Sequence, residues 1–209
     1  MHLDALFEDD TIDIARLGAV LDGLGHAGRV ESMNRWSAKT QARLFEAAKG
    51  HKSLSLEDFV PTAVEPLAEV IHWGKNSLPV FTLFQKRFCK PAPDHGAAKS
   101  ELWGYNEGHP DLLFQVSPFT GPGYFVVHAP ERDNAAGEID IDYRMIPGGK
   151  SSAWPAIVPN EARLGRFVYA GMVDVMRGIS EHVSIGRAIR GGKWADAWFV
   201  LCREDRAPT

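Results

Sequence analysis

Residues 160–178, NEARLGRFVYAGMVDVMRG, decide the fold that the sequence predicts. Asn160, placed behind Pro159, is a good helix N-cap because its side chain can accept from a first-turn N–H. Leu164, Phe167, Val168, Gly171, Met172, Val175, Met176 and Ile179 then follow one helical stripe. Arg163, Arg166, Asp174 and Arg177 take the other side, and Gly178 supplies a stop. The expectation is a helix near 161–178 that covers a sheet.

The strands flanking that helix are the next step outward. EIDIDYRMI, residues 138–146, alternates with Ile139, Ile141, Tyr143 and Met145 on one face and Glu138, Asp140, Asp142 and Arg144 on the other. GYFVVH, residues 123–128, precedes it across a turn-rich loop, so the two predict an antiparallel hairpin with one wet face. LPVFTLFQKRFC, residues 78–89, is apolar on both faces in its first half, as a central strand is. In the last segment, EHVSIGRAIRGGKWADAWFVLCRE, Gly191-Gly192 fits a type I′ turn. Arg190 then faces Lys193, Ile189 faces Trp194, Arg187 faces Asp196, Ile185 faces Trp198 and Val183 faces Val200. Charge matching supports this register, since opposite charges directly across a ladder attract. Ser184, Gly186, Ala188, Ala195 and Ala197 fall on the other face, a flat floor for a helix.

The first sixty residues read as helical. Thr11 can cap a helix carrying Ile14, Leu17, Val20, Leu21 and Leu24, and a second runs from about Val30 to Lys49, where Gly50 stops it. Ser55 with Asp58 resembles a capping box. The fold expected is therefore one α+β domain over 1–209. It has an N-terminal helical layer (1–60), a curved antiparallel sheet (61–209) and the covering helix near 161–178. An open sheet curled over a cavity is preferred to a closed small barrel.

Composition bounds the function. A 209-residue chain that is 44% hydrophobic can bury one large core without staples. A net charge of −4 argues against a nucleic-acid binder, which normally presents a basic face. No apolar run approaches a membrane span, and the acidic start MHLDALFEDD does not resemble a signal peptide, so a cytoplasmic location is expected. Cys89 and Cys202 sit in apolar runs and read as free thiols. The charge is unevenly spread: residues 72–100 hold five basic groups and one acid, residues 101–147 eight acids and two arginines. Adjoining surfaces of one fold explain that better than a binding site.

Strong catalytic and phosphate-binding signatures are missing, and no motif names a cofactor. Asp94-His95 and Glu107-x-His109 lack closed-site spacing, so no metal is assigned. HWGKNS, residues 72–77, is the densest polar cluster and reads as a loop between strands. His72 and Lys75 are the candidates for acid–base chemistry there, with Asn76 as an amide donor. Arg187 and Asp196, set among Trp194 and Trp198, suggest polar groups in the apolar wall of a pocket. The leading function is a small-molecule-binding domain with a tryptophan-lined pocket for a small apolar or aromatic partner, involving neither nucleic acid nor membrane. An enzyme using that pocket is the second reading. The third is a homo-oligomer interface formed by aromatic loops around Trp103, Tyr105 and Trp154.

Overall fold

The computed structural model describes residue 7 and residues 11–79, 82–96, 100–108, 121–133, 135–162 and 169–205. Three short helices come first: α1 (Ile14–Asp22), α2 (His26–Asn34) and α3 (Ala38–Ala47). Eight strands follow: β1 (Val70–Asn76), β2 (Leu83–Cys89), β3 (Glu101–Gly108), β4 (Tyr124–His128), β5 (Ile139–Asp142), β6 (Met172–Gly178), β7 (Val183–Arg190) and β8 (Lys193–Arg203). Each pairs antiparallel with the next, and β8 returns to pair with β1, closing a barrel in sequence order.

The layered α+β expectation is therefore corrected to a closed barrel with helices on its outside. The difference lies in the segment expected to be the covering helix. Residues 172–178 form β6, and residues 163–168, with Leu164, Phe167 and Val168, lie outside those described. In β6, Asp174 and Met176 face the lumen while Val175 faces the N-terminal helices, so both sides are buried. A strand clad on both faces loses its period of two, and its apolar residues can mimic a helical stripe. Asn160 is not a cap. It is buried and donates both amide hydrogens, to Tyr124 O at 2.7 Å and Tyr143 O at 2.8 Å.

The cladding has two parts. Helices α2 and α3 pack on β7, β8 and β1, joining Leu44, Phe45 and Trp36 to Val183, Ile185 and Val200. On another side Trp154 closes over Trp103, Tyr105 and Tyr124. The hairpin of β4 and β5 forms as expected, but its acidic face is not wet. Asp140 and Asp142 are buried, covered by ion pairs with Arg132 and Arg144.

Inside, three glycines make the lumen possible. Gly74 pairs with Phe84, Gly104 with Phe125 and Gly186 with Phe199. In each pair the phenyl ring lies where a glycine Cβ would stand, within 2.3–2.4 Å of that position. Aromatic side chains laid over cross-strand glycines let rings line the interior of a narrow eight-stranded barrel.

The lower end is closed by the segment before β1. Its capping box at Ser55 and Asp58 forms, and Phe59 enters the core against Phe88. Arg203 donates to Glu57 O at 3.3 Å and Asp58 O at 2.7 Å, tying the end of β8 to this plug. At the upper end β3 stops, β4 begins and the Gly191-Gly192 turn joins β7 to β8.

Candidate functional site

The lumen face carries a row of four polar side chains. Arg203, His72, Lys86 and Asn106 are successive cross-strand partners on β8, β1, β2 and β3. Strand alternation puts them all inside, between phenylalanines such as Phe84 and Phe88.

Lys86 is the centre of this row. Its ammonium donates to Asn106 Oδ1 at 2.9 Å, to the Tyr143 hydroxyl, and to Asp174 Oδ2 at 3.3 Å. Three donors thus meet three acceptors from β3, the end of β5 and β6. The rings of Phe84, Phe125, Tyr143 and Phe199 surround Nζ at 4.9–5.7 Å from their centroids. Asn106 Nδ2 donates in turn to Gly123 O at 3.1 Å and Tyr143 OH at 3.0 Å. Tyr169 stacks on Tyr143, with centroids 5.4 Å apart. The Asn160 clamp fixes the backbone behind Tyr143.

Burial sets the electrostatics. It lowers the pKa of Lys86, with Asp174 opposing, and raises that of Asp174, with Lys86 opposing. Burial, seconded by Asp174, also holds the Tyr143 phenol well above its usual range. The two shifts in the Lys86–Asp174 pair point toward each other. Burial thus brings the neutral amine–acid pair closer in energy to the ion pair than it is in water.

His72 sits in the same row but serves the lower end. Its Nε2–H donates to Phe59 O at 2.9 Å, leaving Nδ1 without a protein partner. Burial drives its pKa down to about 3, so the ring is neutral. Nearby Ser180 Oγ is also buried without a partner, and both line a recess with room for about one water.

The other sequence candidates are dispersed. His72–Asn76 of HWGKNS lie in strand β1 rather than in a loop, so neighbouring residues point to opposite faces. Lys75 is outside the barrel and donates to Asn34 O at 2.6 Å, and Asn76 ends the strand beside Phe199. His72 and Lys75 are not brought together. Trp194 and Trp198 lie on the outer face that the helices cover, with Trp194 edge-on to Phe45 at 5.7 Å. Arg187 is sandwiched between their indoles at 5.2 and 4.9 Å. It reaches Asp196 at 3.4 Å, but the Asp196 side chain is 90% exposed.

The hairpin turns at Gly191-Gly192, both with positive φ, as expected. Its register then shifts. Ile189 pairs with Trp194 but Arg187 pairs with Trp198, which inserts two extra residues into β8. A slip of two leaves every side chain on its intended face, so Ile185 meets Val200 instead of Trp198. Because the sheet closes into a barrel, the small residues Ser184, Gly186 and Ala188 face the lumen and not a helix.

Cys89 and Cys202 are free and buried, and burial pushes their thiols up to about 12 and 11, which removes them as nucleophiles. Among the described residues no group of three or more His, Cys, Asp or Glu is arranged to hold a metal, and no helix is long and apolar enough to cross a membrane.

Lys86, Asn106, Tyr143 and Asp174 are absent from the sequence-based candidates. A signal existed in Phe84-x-Lys86-x-Phe88, a cation alternating with phenylalanine on one strand face. No protein-family model, curated protein or solved structure matches the chain. Function must be argued from the chemistry of the site.

Proposed function

We propose that the protein binds a small aromatic molecule bearing one polar acceptor group in the upper lumen of the barrel, with Lys86 as its anchor. The observation carrying this reading is the convergence of Lys86, Asn106, Tyr143 and Asp174, from separate parts of the sheet, inside an aromatic cage. A buried ion pair contributes little net stability, because desolvating each charge costs several kcal/mol. Apolar side chains would fill the same space at lower cost. Barrel mouths are common ligand sites, and an apolar wall with a few convergent polar groups is how such sites recognise small molecules. An incoming carbonyl or carboxylate oxygen replaces Asn106 or Tyr143 as an acceptor for Lys86, while the phenyl rings contact the ligand's apolar part.

Calorimetric titration with benzyl alcohol, benzaldehyde and benzoate tests this. Saturable binding is expected for at least one probe, and it should be lost in a folded Lys86→Met/Asp174→Leu double variant. Absence of binding by all three, or unchanged binding by the double variant, overturns the reading.

A further inference from the structure

We infer that Lys86 forms a covalent imine with an aldehyde held in the lumen, so that the ligand class is a small aromatic carbonyl compound. The inference rests on the binding reading above and sharpens it. Three features of the geometry converge on this chemistry.

Imine formation first needs an amine that can give up its proton. Asp174 Oδ2 lies 3.3 Å from Lys86 Nζ, and both side chains are about 3–4% exposed. In that environment proton transfer from the ammonium to the carboxylate removes two desolvated charges at once. A desolvated lysine is one of the ways proteins make an amine nucleophilic near neutral pH.

The second need is a proton for the departing oxygen. Lys86 Nζ attacks the carbonyl carbon, and the nitrogen proton moves to oxygen to give a carbinolamine. The Asp174 carboxylic acid then protonates that hydroxyl, which leaves as water. The products are a protonated imine on Lys86 and the Asp174 carboxylate. Amine, acid and aldehyde thus become iminium, carboxylate and water, with no external oxidant, reductant or base. Tyr143, whose hydroxyl already bonds Lys86, and Asn106 stand beside the carbinolamine to hold its oxygen.

The third need is stabilisation of the cationic product away from water. Four rings face Nζ from 4.9 to 5.7 Å, and Asp174 regains its negative charge next to the iminium. Ring faces attract a desolvated cation, and they also exclude the water that would hydrolyse the imine. No other amine described here combines a buried carboxylate with such a cage. Lys75 donates to a backbone carbonyl on the outer side, and Lys52 pairs with the half-buried Asp58.

The test is reductive trapping of the intact protein. Benzaldehyde and cyanoborohydride are added at neutral pH, and the first adduct is located by peptide mapping. The benzyl group is expected on Lys86 before any surface lysine, with loss of that labelling when excess benzoate is present. Lys86→Arg, which keeps a cation for Asp174 but lacks the amine nucleophile, should lose the fast adduct. Mapping in the unmutated protein makes the result independent of how the variant folds. Labelling confined to surface lysines, while benzyl alcohol or benzoate still binds by calorimetry, overturns the imine and leaves the binding site standing. If none of the probes binds and Lys86 stays unlabelled, the binding reading falls as well.

Discussion

Two opposite-charge pairs in this barrel look alike on paper and differ in what they cost. Arg187–Asp196 and Lys86–Asp174 have separations of 3.4 and 3.3 Å, and both cations lie among aromatic rings. The first is on the outer face with its carboxylate in water, so little is lost by keeping it charged. The second is enclosed by the sheet, where each charge has given up its hydration. Aromatic company therefore does not identify a functional charge. Desolvation with convergent partners is the better guide.

The comparison breaks most sharply by removing one member of the inner pair. Lys86→Met leaves Asp174 buried without its cation and should destabilise the fold by about 3 kcal/mol or more in urea unfolding. Adding Asp174→Leu should restore most of that stability. A double variant as unstable as the single would mean the pair is structural, and the contrast with Arg187–Asp196 would shrink.

Acid titration sharpens the contrast within the lumen. His72 has a folded pKa near 3, against about 6.5 unfolded, because burial disfavours its charged form. Between those values only the unfolded chain takes up the proton, so stability rises with pH across the window and is lost as pH falls below 6.5. The slope should approach roughly 1.4 kcal/mol per pH unit. His182, also depressed by burial and lining the same recess, adds to it, while Arg203 opposes protonation of both rings. The gap between unfolding midpoints at pH 7 and pH 5 should narrow in His72→Gln, with the His182 contribution remaining; an unchanged pH dependence would assign the effect elsewhere.

The smallest effect belongs to the outer pair. Asp196→Ala should change stability by less than about 0.5 kcal/mol. Arg187→Ala should cost about 1 kcal/mol, through the guanidinium stacked on two indoles. A loss at Asp196 rivalling that at Lys86 would erase the distinction.

Local features were legible in the sequence because their signals are local. Gly191-Gly192, the capping box at Ser55 and Asp58, Gly50 and the β4–β5 hairpin all form as their residues suggest. The second helix divides in two because Ser37 caps α3, accepting from Thr40 N. Barrel closure was not legible. Residues 172–178 and 72–76 belong to strands whose faces are clad by helices or lined with polar groups, and neither shows the expected alternation. The site was hidden for a related reason. Lys86 acquires meaning only when Asp174, 88 positions away, arrives beside it through the closed sheet. The tryptophans advertised the outer face, whereas the lumen is built from phenylalanine over glycine, and that pairing emerges only once the register is known.

A ligand in the lumen touches phenylalanines, whereas one on the outer face touches Trp194 and Trp198. Side-chain NMR of a protein labelled on phenylalanine and tryptophan, titrated with benzoate, separates the two surfaces directly. A lumen-bound ligand should give saturable shifts for Phe84, Phe125 and Phe199 with the Trp194 and Trp198 indole signals unmoved. Shifts at the two indoles with the three phenylalanines unchanged would contradict binding in the lumen.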